Sequence, residues 1–181
     1  MGGKVLEWGD RIVTWLLAEQ DLRGFVPGKG WAHAIAHGAD ALAALARSPH
    51  ASKAELTVVL DVIADRVLSP VDHWLVHGEP DRLAVATMDV LRRNRVPLQV
   101  LEPWVARIAA TASGTSGRPG AATERDPFMV AGNAEAFLRG LYLQLALGPQ
   151  RPELRSDLLL VVVEALRRSN PHYFALAPPV Q

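Results

Sequence analysis

Ser52-Lys53-Ala54-Glu55-Leu56-Thr57-Val58-Val59-Leu60-Asp61-Val62-Ile63-Ala64-Asp65-Arg66-Val67 decides the fold class. Leu56, Val59, Ile63 and Val67 recur every third or fourth residue, which is the period of an amphipathic helix and not the alternation of a strand. Ser52 followed three residues later by Glu55 is a capping box, in which each side chain satisfies a backbone N–H that the first helical turn leaves free. The same period runs through Val5, Trp8, Ile12 and Leu16, and no segment sustains strand-like alternation. Start and stop signals, among them Pro127, Gly148-Pro149 and Pro152, divide the chain into seven helices at about 4–20, 31–47, 52–69, 80–94, 98–113, 127–147 and 152–169. The expected class is all-α.

Helix starts near 31, 80 and 127 lie about 50 residues apart, and Leu45-Ala46-Arg47, Leu91-Arg92-Arg93 and Leu166-Arg167-Arg168 each close a helix. This spacing suggests antiparallel hairpins stacked into a short α–α superhelix of the HEAT or armadillo kind, with a plain helical bundle as the alternative. A single domain over 1–181 is expected, with Gly, Thr and Ser at 114–126 reading as a mobile surface loop.

Composition narrows the function classes. Lys and Arg total 19 against 19 Asp and Glu, so no net field draws the chain to nucleic acid or to an anionic membrane. The longest apolar run, Leu158 to Val163, is far shorter than a bilayer span, and Met1 to Trp8 lacks the apolar core of a secretion signal. Cysteine is absent, which excludes disulfides, thiolate nucleophiles and thiolate metal ligands and suits a reducing cytoplasm.

The chemistry-bearing residues concentrate in Trp31-Ala32-His33-Ala34-Ile35-Ala36-His37-Gly38-Ala39-Asp40. At about 100° per residue His33, His37 and Asp40 share one helix face, opposite Ile35, Leu42 and Leu45. Such a stripe could be a set of internal polar ties, the lining of a binding groove, or a site for a divalent metal such as zinc with His33, His37 and Asp40 as ligands. No other cofactor is suggested. Ala34 stands where a zinc protease needs its glutamate base, which removes that mechanism. A second pair, His73 and His77, has the same spacing and would bring up to four imidazoles together if helix 31–47 packs near it, but Gly78 and Pro80 make 71–78 a short turn, and the expected reading is that the pair points to solvent.

Asp21, Arg23 and Lys29 lie in the Gly- and Pro-containing segment just before this stripe. Arg23 and Lys29 could hold an anion beside a helix N-terminus, or Arg23 could simply pair with Asp21 or Asp40. Arg139, in an apolar helix, has Glu135 one turn away as its ordinary partner. The tryptophans Trp8, Trp15, Trp31, Trp74 and Trp104 read as core residues.

The segment Asp21-Leu22-Arg23-Gly24-Phe25-Val26-Pro27-Gly28-Lys29-Gly30-Trp31, continuing to His33, His37 and Asp40, resembles the signature of the bacterial DUF2785 family. Phe137-Leu138-Arg139-Gly140-Leu141-Tyr142 and the region Glu79 to Leu83 extend the likeness. Pro27 departs from it, standing where the family pattern carries an acidic residue. The resemblance implies an all-helical bacterial cytosolic protein and singles out Asp21, Arg23, Lys29, Trp31, His33, His37 and Asp40, without implying a reaction. Three functions are then to be weighed: a module binding a protein, peptide or small anionic ligand in a groove lined by the stripe; a metal-dependent hydrolase or transferase; and a structural scaffold.

Overall fold

The computed structural model describes residues 2–113 and 126–174. Its long helices are α1 (Gly2–Ala18), α2 (Ala34–Arg47), α3 (Lys53–Leu68), α4 (Glu79–Leu91), α5 (Leu98–Ala112), α6 (Pro127–Leu147) and α7 (Arg155–Ser169), followed by the short α8 (Pro171–Phe174). The only sheet among the described residues pairs β1 (Phe25–Val26) with β2 (Gly30–Trp31). The chain is all-α. The loop expected over 114–126 lies outside the described residues except for Asp126, which caps α6 by accepting from the Phe128 N–H at 2.9 Å.

Local signals place the helix ends. The Ser52 and Glu55 capping box forms in both directions, with the Ala54 N–H donating to Ser52 at 3.1 Å and the Ser52 N–H donating to Glu55 at 2.8 Å. Two starts differ from expectation. The second helix begins at Ala34 because Gly30 and Trp31 are taken into the sheet, and the last long helix begins at Arg155 because Pro152 to Leu154 form a turn.

The helices form two layers. Helices α1, α3, α5 and α7 contact one another in order, as do α2, α4 and α6, and the layers meet over a core that includes Leu42, Leu60, Ile63, Leu83, Ile108 and Phe137. Trp104 belongs to this core: 6% exposed, it donates to the Leu60 carbonyl at 2.8 Å and meets the Phe137 ring edge-on at 5.9 Å. The other tryptophans are not core. Trp8, Trp15, Trp31 and Trp74 are 60%, 42%, 59% and 41% exposed.

Polar side chains tie each hairpin to the next at a nearly constant separation. Asp40–Arg82, Arg47–Asp89 and Asp65–Arg107 are ion pairs 42 residues apart, and the bonds from Arg95 to the Ala51 carbonyl and from Trp104 to Leu60 span 44. Beyond α5 the separation grows: Asn133 reaches back to Leu75 over 58 residues and Arg92 reaches forward to the Pro149 carbonyl over 57. The increase arises because residues 114–126 intervene between α5 and α6.

Arginines also finish helix ends. Arg66, 5% exposed, donates through Nη1 to the Leu16 and Glu19 carbonyls at 3.3 and 3.0 Å, and Arg93 donates to the Ala46 and Ser48 carbonyls at 2.9 and 2.7 Å. In each case a cation meets the negative end of a helix from the preceding hairpin.

Candidate functional site

The site is built on a small hairpin. Val26-Pro27-Gly28-Lys29 is a tight turn closed by the Lys29 N–H donating to the Val26 carbonyl at 3.0 Å. Pro27 supplies the fixed φ of the second position and Gly28, at φ 75°, the left-handed third position, as a type II turn requires. Phe25 and Trp31 are therefore directly opposed across the strands, with ring centroids 5.2 Å apart and edge to face. The ladder continues past the strands: Ala32 N–H donates to the Gly24 carbonyl at 2.9 Å and His33 N–H to the Arg23 carbonyl at 3.0 Å.

His33 is the junction between hairpin and helix. Its carbonyl accepts the first bond of α2, from the His37 N–H at 3.0 Å, while its own backbone is left-handed at φ 49° and ψ 33°. A side chain with a Cβ holds that conformation at a cost of order 1–3 kcal/mol, so the surroundings must fix it. They do so on three sides. The His33 ring lies 4.4 Å from the Trp31 ring, its Nε2 is 3.1 Å from the His77 carbonyl oxygen, and the same atom is 3.5 Å from Oε1 of Glu79.

Glu79 is the unusual partner. Only 1% exposed, it accepts the His77 N–H on Oε2 at 2.7 Å, at the start of α4. The His77 ring in turn meets Trp31 edge-on at 5.7 Å and lies 6.3 Å from the His33 ring, while His37 stands one turn along α2, 6.4 Å from His33. Gly24 makes room for this: a Cβ there would sit 2.7 Å from the Cβ of His77. Trp31, Phe25, His37 and His77 remain open to solvent, and His33 is largely covered.

The structure brings the His33 and His37 rings together, although His33 stands just outside α2 as its left-handed N-cap; Trp31 joins them from β2, and His77 converges on them from the segment before α4. It separates the other candidates. Asp40 continues the stripe but is held by Arg82 of α4, whose Nε donates to Oδ1 at 2.9 Å and whose Nη2 bonds Oδ2. Among the described residues no group of three or more His, Asp or Glu side chains is placed to hold a metal ion.

Asp21 and Arg23 form a two-point pair with each other, at 2.7 and 2.6 Å, which is the ordinary alternative to an anion clamp. This pair holds the Asp21 carboxyl down from 3.8 to about 2 and raises the Arg23 guanidinium. It lines a cleft of about 610 Å³ shared with Arg66 and His73, whose buried Nε2 has no hydrogen-bond partner among the described residues. Lys29 lies in the hairpin turn. Arg139 is exposed and paired with Glu135, on the rim of a second cleft of about 610 Å³ floored by Trp74 and Ala131.

Sequence reasoning missed Glu79, Gly24 and Phe25. Glu79 followed by Pro80 and Asp81 reads only as an acidic first turn, and nothing local distinguishes a buried carboxylate there from a solvated one. Phe25 was findable: Val26-Pro27-Gly28-Lys29 between two aromatic residues is a turn signal.

The chain belongs to the DUF2785 family, described as proteins of unknown function, whose pattern matches residues 2–143. That range holds the whole hairpin, α1 to α5 and most of α6. No curated protein and no solved structure matches the chain. Among the described residues no helix is long and apolar enough to cross a membrane.

Proposed function

We propose that this chain is a non-enzymatic binding module, a short stack of helical hairpins that presents the Trp31, Phe25, His37 and His77 face to a segment of a partner protein. One observation carries the reading. Trp31 is 59% exposed yet held by Phe25, His33 and His77 on its sides, and His33 keeps a left-handed backbone to complete that arrangement. A solvent-facing aromatic fixed in this way loses little side-chain freedom on binding, which is how rigid aromatic anchors act at interfaces.

The nearly constant separation of the ties between hairpins supports the repeat character, and α-solenoids commonly bind extended segments on their faces. A cysteine-free chain suits the cytoplasm as its working compartment. Selection from a displayed library of random peptides tests the reading. Peptides that bind the native chain are expected to lose binding to Trp31→Ala and to keep it with Trp8→Ala, whose ring is equally exposed but far along the sequence in α1. Selected binding that is indifferent to Trp31→Ala, or no selection at all, overturns it.

A further inference from the structure

Arg66, near the end of α3, is 5% exposed, and among the described residues it forms no ion pair with a carboxylate. Its Nη1 gives both N–H bonds to the Leu16 and Glu19 carbonyls. Nε and Nη2, the two nitrogens along the opposite edge of the guanidinium, have no hydrogen-bond partner among the described residues. Arg93 finishes a helix end with the same pair of carbonyl bonds but is only half-buried, so water screens its charge. Arg66 lacks that screening: desolvation pulls its guanidinium below the ordinary arginine value, and the nearby Glu19 carboxylate offsets this only in part. A buried charge is ordinarily paired, and here the protein supplies two carbonyls and no counter-ion.

Arg66 lines the cleft of about 610 Å³ between residues 17–23 and residues 69–73, a volume suited to a small organic molecule. The acids nearest in the wall are engaged elsewhere. Glu19 accepts the Gln20 and Asp21 N–H groups at 2.9 and 2.8 Å, and Asp21 holds Arg23 at two points. The wall also carries the buried Nε2 of His73, so two of its polar groups lack protein partners, which marks a ligand site and not a packed junction. We infer that this cleft binds a small organic monocarboxylate, its two oxygens meeting the Nε and Nη2 edge of Arg66 in the parallel two-point geometry of an arginine–carboxylate pair. A single negative charge fits best. Glu19, Asp21 and the exposed Asp72 line the cleft against Arg23 and Arg66, so a phosphate dianion meets repulsion that a monoanion on Arg66 largely escapes, and an amine meets the Arg66 charge itself. Trp31 does not line this cleft, so the site is additional to the face described above.

The full chain, labelled for nuclear magnetic resonance, is titrated with butyrate, inorganic phosphate, n-butanol and n-butylammonium at constant pH and ionic strength. Butyrate is expected to shift the Arg66 Nε–H and His73 ring signals saturably, phosphate to bind at least threefold more weakly, and butanol and butylammonium to leave both signals in place. Asp21→Asn frees the Arg23 guanidinium within the same cleft and should tighten butyrate by about threefold, whereas Arg23→Gln leaves Asp21 unpaired there and should weaken it by about as much. Arg66→Met abolishes the effect. If that variant fails to fold, the Asp21 and Arg23 variants carry the test, because both side chains are exposed and their pair adds little to stability. No saturable shift by butyrate, an equal shift by butanol, phosphate binding as tightly as butyrate, or butyrate binding indifferent to both Asp21→Asn and Arg23→Gln each overturns the inference.

Discussion

Oε1 of Glu79 lies 3.5 Å from Nε2 of His33, and Oε2 of the same buried carboxylate accepts the His77 N–H at 2.7 Å. One side chain thus holds two of the three imidazole residues in place from beneath. Removing it by Glu79→Ala leaves a backbone donor without its partner, which costs about 1–3 kcal/mol. Glu79→Gln keeps an oxygen for that donor and is expected to lose less. Thermal melting of the two variants beside the native chain checks the order.

His33 is held with a positive φ. Asparagine tolerates that backbone better than alanine, so His33→Asn is expected to melt about 1–3 °C above His33→Ala although both lack the imidazole. Equal melting temperatures would show that the left-handed conformation does not survive the loss of the ring.

Gly24→Ala places a methyl group against the Cβ of His77, an atom that no rotation of the ring can remove. The His77 segment must shift. The expected result is a loss of the Trp31 to His77 ring contact, seen as a change in the His77 ring proton shifts, together with a lower melting temperature.

Asp21 titrates well below the usual aspartate range because Arg23 binds it at two points. The sign follows: a depressed carboxylate adds stability at pH above its ordinary 3.8, and that contribution fades as pH falls toward about 2. Carboxyl carbon shifts should show a midpoint near 2 for Asp21, moving back toward 3.8 in Arg23→Gln. Both groups are exposed, so added salt should shrink the difference.

Arg66 of α3 and Arg107 of α5 lie on neighbouring helices and differ in burial. Arg66→Met strips two carbonyls of a buried cationic donor and is expected to cost about 2 kcal/mol, or roughly 4–8 °C. Arg107→Met breaks only an exposed pair with Asp65 and should cost about 0–1 kcal/mol. Paired melting curves separate the two.

The helices were legible because their signals are local. Ser52 with Glu55 and Asp126 before Pro127 act within one turn, and the apolar period of Leu56 to Val67 marks the buried side directly. The outward placing of His37 and Asp40 was legible for the same reason, with Ile35 and Leu42 buried opposite, whereas His33 lies just outside the helix and is largely covered. What escaped depends on contacts about 44 residues apart. The approach of His77 to His33, the burial of Glu79 and the capture of Asp40 by Arg82 arise only when α4 lies beside α2. The tryptophans misled because ring size favours burial on average, and on this fold only Trp104 faces the layer interface.

The ties between consecutive hairpins bear on how the molecule opens. Because bonds such as Arg95 to Ala51 and Trp104 to Leu60 join each unit to its neighbour in sequence order, loss of one end leaves the rest of the stack intact. Unzipping from the α7 and α8 end should therefore arrive last at the α2 and α4 seam, which joins the first two hairpins. The face around Trp31 is anchored on that seam, so it stays assembled in molecules that have shed only their C-terminal helices.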